Sequence, residues 1–457
     1  MKDKSLTKSI TFNDFKKEIL NDYKTIVISR ETSLLGRKEV LSGKAKFGIF
    51  GDGKELPQIA MAKAFRRGDH RSGYYRDQTF MLALNEISVQ QIFSALYANT
   101  DLKKEPMSGG RQMGSHFMSN YIDEKGDFID STQKYNSSAD ISPTSGQMPR
   151  LLGLAMASKL YRDGSFNSKN FSNNGNEVAW GTIGNASTSE GPFFEVFNAA
   201  GVHQVPMIIS VWDDEYGISV NNSYQTTKSS ISKALHGFKR DKSNKGFEIY
   251  TVDGWDYQSL IQIYEHSSNF CRENHIPILI HVKNLTQPIG HSTSGSHERY
   301  KNKSRLEWEM KYDCNRKMRE WILDNNLSDL SKIEQIEKDC IEFVKSEKKA
   351  AWDNFQKDII VERDSFIKLI KSLVHQYKSK DLAEIANSLL ILKDLGRKDV
   401  MSAARRSLRL ENSSDFFEKV NNWVSDYKKN TQPFYSSHLY NESKNNYKSV
   451  VPVPPQY

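Results

Sequence analysis

The stretch from Val178 to Val220, VAWGTIGNASTSEGPFFEVFNAAGVHQVPMIISVWDDEYGISV, constrains the fold more than any other part of the chain. Val178 to Trp180 reads as a short apolar strand, followed by a loop of small and polar residues. Pro192 opens a helix, at a position whose missing N–H has no intrahelical partner to lose, and Phe194, Phe197 and Asn198 are expected on one side of it. Pro206 ends the crossover, and Met207 to Trp212 has the continuous apolar character of a buried strand. The whole is one βαβ unit, which takes about 30 residues. Ligands of such units gather beyond the carboxyl ends of the strands, near the helix N-terminus. That places the Gly184–Gly191 loop beside the Asp213–Gly217 loop. The first offers small side chains and free backbone N–H groups to a phosphate. The second offers two adjacent carboxylates, and a diphosphate bridged by a hard cation suits the pair, because Mg²⁺ prefers oxygen ligands and shared phosphate oxygens. Solvation of a turn by Asp213 and Asp214 is the competing reading.

The rest of the chain falls into three zones. In a first zone, residues 1–46, Phe12, Phe15, Ile19, Tyr23 and Ile26 recur at three- and four-residue steps, predicting an amphipathic helix from Thr11 to about Val40. Residues 47–345 alternate Gly-, Ser- and Pro-punctuated loops with helices and apolar strands, the pattern of an α/β domain with a mainly parallel sheet flanked by helices. Residues 346–457 form a charged, helical extension in which Gly almost disappears. From Asn430 onward it is rich in Tyr, Asn, Ser and Pro, and is expected to be a poorly ordered tail or linker. With 37% hydrophobic and 26% charged residues in 457, the chain can bury a large core. A net charge of +8 raises nucleic-acid binding as a rival, but the basic residues are interleaved with acids, as from Lys332 to Lys349, which reads as solvated helix faces. No apolar run approaches the ~20 residues needed to span a bilayer. The N-terminus lacks an apolar signal core and carries an early Asp3, and Cys271, Cys314 and Cys340 form no CxxC pair. These features exclude a disulfide framework or zinc site and point to a cytoplasmic protein without membrane or nucleic-acid partners.

Val178–Val220 is similar to the thiamine diphosphate motif, a Gly-Asp-Gly followed by paired Asn at the end of the next strand. The continuation Ser189-Glu190-Gly191 resembles the alpha subunits of branched-chain 2-oxo acid dehydrogenases. On that alignment Gly184-Asn185-Ala186 takes the place of Gly-Asp/Glu-Gly, and Asp213-Asp214 that of the paired Asn. The resemblance implies a thiamine diphosphate-binding fold, with metal ligands on Asn185, Asp214 and the backbone carbonyl of Tyr216. It implies cofactor contacts from Gly184, Ala186 and Ser187, and an apolar wedge at Ile218. Acid and amide have exchanged places, which keeps one of each on the metal, and Ala186 replaces a glycine. Gly51-Asp52-Gly53 spells the motif literally, but no paired amide follows at βαβ distance; it reads as an ordinary turn before a helix from about Pro57 to Phe65.

Four further segments resemble the same family in order and spacing. Tyr75 and Arg76 match the Tyr-Arg pair that grips the diphosphate, where a guanidinium makes bidentate, charge-assisted contacts. Gly110-Arg111-Gln112-Met113 with His116 resembles a segment near the active site; a catalytic His116 and a satisfied core histidine both remain open. Ser142 to Pro149 resembles the loop holding the aminopyrimidine, through the Ser142 carbonyl and the Thr144 N–H. Gly146 stands where some members carry a potassium-binding Thr. Gly290-His291-Ser292-Thr293-Ser294 with Tyr300 resembles the mobile loop bearing an active-site histidine, His291, and Ser292 stands where relatives are sometimes phosphorylated. The implied reaction is oxidative decarboxylation of a 2-oxo acid, with thiamine diphosphate and Mg²⁺ as cofactors and transfer of the acyl group to a lipoyl acyltransferase core. An activating glutamate is expected from a beta subunit or beta domain. Branched-chain 2-oxo acids lead as substrates, with a pyruvate or acetoin dehydrogenase alpha component as alternatives. A non-catalytic scaffold or nucleic-acid binder retaining the fold is the rival of a different class.

Overall fold

The computed structural model describes residues 11–410, 413–436, 443–444 and 446–455, and the chain divides into two compact units. Residues 11–89 and 113–345 form the first; residues 90–112 and the described residues from 346 onward form the second. The first ten residues, and parts of the segment expected to be a tail, lie outside the described residues.

In the first unit, α1 (Phe12–Leu41) begins at Thr11, whose hydroxyl accepts the Asp14 N–H as an N-cap. Ile19, Tyr23 and Ile26 are buried as the periodicity requires, whereas Phe12 is 64% exposed and Phe15 also stands partly in solvent. There follow α2 (Glu55–Ala64), β1 (His70–Ser72), α3 (Gln78–Ala83) and α4 (Val89–Leu96), the last belonging to the second unit from Gln90 on. The chain re-enters the first unit through β2 (Asn136–Ser137), α5 (Met148–Arg162), β3 (Ala179–Gly184), α6 (Gly191–His203) and β4 (Met207–Trp212). A two-strand ribbon of β5 (Tyr216–Gly217) and β6 (Val220–Asn221) precedes α7 (Ile231–Ala234), β7 (Glu248–Asp253), α8 (Tyr257–Asn274) and β8 (Ile278–Lys283). Helices α9 (Lys303–Lys311) and α10 (Cys314–Asp324) lead to the long α11 (Leu330–Tyr377), which crosses the boundary between Lys345 and Ser346.

The six strands of the main sheet lie in the order β2-β1-β3-β4-β8-β7, and every pairing is parallel. The fold is thus an α/β sheet with helical flanks. β3 is longer than the apolar run suggests, because Gly181, Thr182 and Gly184 are all in register with β4. On α6 the buried stripe is Phe193, Val196, Phe197 and Ala200, while Phe194 and Asn198 face outward. Phe194, Phe197 and Asn198 do share helical spacing, but the face is offset from the core by one residue. Phe197 stacks on Phe247, with ring centroids 3.7 Å apart. Buried ion pairs pin the strand roots: Arg272 holds Asp69 through both guanidinium amines, and Asp69 also accepts from the Trp180 indole.

The second unit has its own core. α11 packs Ile359, Phe366, Ile370 and Leu373 against α12 (Lys380–Leu390), α13 (Arg397–Ser407) and α14 (Ser414–Ser436). α14 continues through Ser436, so residues 430–436 are helical where an irregular tail is expected, while the described residues 450–455 have no regular structure. In the same unit the buried Glu105 carboxylate accepts the N–H groups of Met107, Ser108 and Gly110, ordering the loop that carries Arg111.

Candidate active site

Chain direction reverses across the sheet between β1 and β3: from β1 the chain moves to β2 on one side, and from β3 to β4 on the other. A crevice outside the carboxyl ends of the strands is expected at such a switch point. The loops after β1, β3, β4 and β8 all lead there. Gly184 ends β3, the Asn185 N–H donates to the Trp212 carbonyl at 3.2 Å, and residues 186–189 form one tight helical turn before α6. Ala186 and Gly217 are so close that a Cβ on Gly217 would lie 2.5 Å from that of Ala186. The two loops therefore lie side by side. Asn185, Ser187 and Asp214 are buried, and the Asn185 amide nitrogen has no hydrogen-bond partner.

Asp213 and Asp214 have different partners. Asp213 accepts from His281 Nε2 at 2.7 Å and from the Glu215 N–H at 2.8 Å, so it organises the turn. Asp214 faces the crevice. Its Oδ2 accepts from Lys54 Nζ at 2.9 Å and lies 3.5 Å from His291 Nε2, while its Oδ1 accepts the Tyr216 N–H. Burial alone would raise the Asp214 carboxyl, but the Lys54 ammonium and His291 hold it well below the usual carboxylate range. His291 Nε2 also reaches the Tyr216 carbonyl at 3.2 Å, and burial lowers its pKa despite Asp214. Beyond this pair Arg305 donates to the Asp214 carbonyl and pairs with Glu215.

The remaining expected residues extend the same crevice. Arg76 is buried and donates to the carbonyls of Phe50 (2.6 Å) and His291 (2.8 Å), tying the β1 loop to the histidine loop. The Tyr75 ring lies 5.4 Å from the Arg76 guanidinium and 6.0 Å from the His116 ring. His116 Nε2 is 2.9 Å from the Ser142 hydroxyl, and Ser142 and Thr144 are exposed. Ile218 stands out at 69% exposure with φ +57°, a left-handed conformation that a β-branched residue rarely adopts. Arg111 belongs to the second unit, where its guanidinium is bound by the carbonyls of Ser108, Gly109 and Phe434.

Lys54 also reaches Asp214, a placement that the sequence alone does not announce. It follows the Gly51-Asp52-Gly53 turn, and α2 begins one residue later, at Glu55 rather than Pro57. The turn is buried: Asp52 accepts from the Gln287 amide and the Ile289 N–H, and burial pushes its carboxyl up to about 6. Gly53 has φ +81°, and a Cβ there would lie 2.1 Å from the Thr286 carbonyl oxygen. Lys54 Nζ donates to that carbonyl at 3.1 Å and to Gln287 Oε1 at 2.7 Å, besides Asp214. The one available signal was a lysine directly after a turn of two glycines, beside a motif that seemed only to imitate another.

These groups fit a diphosphate. The first turn of α6 has no side-chain cap and the space around Gly191 is open, leaving the Gly191 N–H for an anion, since Pro192 has no N–H and that of Phe193 donates to the Glu190 carbonyl. Lys54, Arg76 and Arg305 supply positive charge around it. A divalent metal fits less well. The Mg²⁺ expected on Asn185, Asp214 and Tyr216 would meet Lys54 on Asp214 and His291 on both Asp214 and the Tyr216 carbonyl.

The family model for the dehydrogenase E1 component matches residues 23–359. The chain is 27% identical over 301 residues to the 2-oxoisovalerate dehydrogenase subunit alpha of Bacillus subtilis, covering 65% of this chain and 79% of that one. It is 23% identical over 337 residues to the pyruvate dehydrogenase E1 component subunit alpha of Rickettsia prowazekii, covering 73% and 91%. The chain belongs to the dehydrogenase E1 component family, alongside the alpha subunits of thiamine diphosphate-dependent 2-oxo acid dehydrogenases.

Proposed function

We propose that this chain is the alpha half of a decarboxylating active site that takes a branched-chain 2-oxo acid and passes its acyl group to a lipoyl group. The observation that carries the reading is the meeting of Arg76, Asn185, Asp214 and His291, from four separate loops, at the switch point of the sheet. Thiamine diphosphate, when bound, supplies the electron sink for loss of carbon dioxide. The chain's own groups do the positioning. The α6 N-terminus, Asn185, Ser187 and Arg76 would hold the diphosphate, and His116 with the Ser142–Thr144 loop would hold the aminopyrimidine. Ile218, exposed in a strained conformation, supports a role as the wedge beneath the cofactor. His291, neutral through burial, is suited to move a proton at Nε2.

Branched-chain substrates are favoured by Ser189-Glu190-Gly191, by Gly110-Arg111-Gln112-Met113 and by the likeness to the 2-oxoisovalerate enzyme. The glutamate that activates the aminopyrimidine belongs to a beta subunit or domain, and a lipoyl acyltransferase core receives the product. No helix among the described residues is long and apolar enough to cross a membrane, in keeping with a cytoplasmic complex. The test is reduction of an artificial electron acceptor by the purified chain, alone and with its cognate beta partner, across 2-oxoisovalerate, other branched 2-oxo acids and pyruvate. The chain alone should give no turnover, and the pair should turn over branched substrates fastest. Turnover by the isolated chain would remove the half-site reading, and a preference for pyruvate would move the substrate to the alternative.

A further inference from the structure

We propose that Lys54 is a built-in cation standing where a divalent metal would sit, so that this chain grips the diphosphate of its cofactor without Mg²⁺. The inference rests on the thiamine diphosphate reading above and changes one element of it. Lys54 Nζ has three oxygen partners, Asp214 Oδ2 at 2.9 Å, Gln287 Oε1 at 2.7 Å and the Thr286 carbonyl at 3.1 Å. An ammonium has three N–H donors, so all are used. The Lys54 and Asp214 side chains are only 2% and 3% exposed. Both are therefore committed to each other rather than to water.

The backbone enforces this placement. Gly53 in its left-handed conformation lies against the Thr286 carbonyl so closely that no side chain fits between them. The turn also carries Asp52, whose carboxylate holds Gln287 and Ile289 on the far side. A lysine seated between two such clamped segments cannot swing aside without both moving. Asp214 is the one expected ligand with a negative charge, and the ammonium already balances it. A dication on the same carboxylate would face Lys54 within a few ångströms in a dry site, where like charges are poorly screened and repel. The second expected ligand, the Tyr216 carbonyl, is taken by His291. A diphosphate entering the crevice meets the opposite situation, since Lys54 cancels the Asp214 charge that would repel it, while Arg76 and the α6 N-terminus favour an anion.

The experiment is a calorimetric titration of thiamine diphosphate into the full chain complexed with its beta partner, once with excess EDTA and once with saturating Mg²⁺. The wild type should bind with the same affinity in both, within roughly twofold, well short of the tenfold that 1.4 kcal/mol represents. Lys54→Gln removes the ammonium and leaves the Asp214 carboxylate unbalanced beside the diphosphate, and its affinity in EDTA should fall by about 10- to 100-fold, with part of the loss restored by Mg²⁺. Electron paramagnetic resonance of Mn²⁺ added to the wild-type complex gives a readout that needs no variant to fold. Thiamine diphosphate should create no tightly held Mn²⁺. Wild-type binding that appears only with Mg²⁺, one Mn²⁺ captured per chain with the cofactor, or Lys54→Gln binding unchanged in EDTA would each overturn the proposal and leave the functional reading intact. Absence of thiamine diphosphate binding in both buffers would overturn both.

Discussion

At the scale of single residues the site depends on backbone conformations that only particular side chains permit. Gly53 is the clearest case, with φ +81° and the Thr286 carbonyl where a Cβ would go. Gly53→Ala should therefore cost about 1–3 kcal/mol, the usual toll of an enforced sparse conformation, with the clash added. Denaturant unfolding checks this, and a variant as stable as wild type would show that the turn is not clamped. His291 is the residue whose role the geometry narrows most. Its Nε2 faces Asp214 and the Tyr216 carbonyl, and its Nδ1 is buried without a partner. His291→Ala should slow lipoyl acylation by about 10² to 10⁴, the range for losing an acid–base group, while cofactor affinity measured alongside changes far less. Near-normal acylation would make His291 a packing residue of its loop.

At the scale of elements, α6 joins the cofactor loop to the core. Phe197 is fully buried and stacks on Phe193 and Phe247, whereas Phe194 is 42% exposed. Phe197→Ala should destabilise the first unit by about 3–5 kcal/mol, through lost transfer energy and the cavity left behind. Phe194→Ala should stay within about 0.5 kcal/mol. Urea titrations of the two variants decide this, and equal effects would mean that the buried stripe lies elsewhere. Helical spacing predicted that an amphipathic helix follows Pro192, but Phe193 and Phe194 are adjacent and equally apolar. Which of them points inward depends on the rotation of the helix against β3 and β4, a tertiary matter. The same limit explains Phe12 and Phe15, which continue the periodicity of α1 yet stand partly in solvent.

At the scale of the whole molecule, stability should carry the signature of two buried histidines. His70 packs beside Tyr121, and His275 reaches the Gly175 carbonyl; burial pushes both imidazoles down to about 4 from 6.5. The fold keeps them neutral while the unfolded chain takes up their protons between pH 6.5 and 4. Stability is therefore fully present above pH 6.5 and declines as pH falls through that window, by up to ~1.4 kcal/mol per pH unit for each group. Asp52, raised to about 6, acts in the opposite sense because the folded state holds its proton more tightly. Thermal unfolding of His70→Gln/His275→Asn against wild type from pH 7 to 4 separates the two effects, since Asp52 is common to both. The variant should lose less stability on acidification, and parallel curves would refute the assignment.

Local chemistry is what the sequence determined. Prolines and small residues mark where strands end and α6 begins, so the βαβ unit and its two loops are legible in one contiguous stretch. The likeness of short segments such as Tyr75-Arg76 and Gly290-His291 could also be read, because each is carried by neighbouring residues. Partnership across the chain is what only the tertiary structure decided. Lys54 and Asp214 are separated by 160 positions and share no pattern, and a lysine after a glycine turn looks in sequence like any solvated cation. Burial turns it into a fixed charge, because three oxygens from β4 and β8 loops close around it once the parallel sheet brings those loops to the same edge. The division of labour between Asp213 and Asp214 has the same origin: adjacent side chains point to opposite sides of the turn, and only the positions of His281 and Lys54 decide which carboxylate organises the loop and which faces the crevice.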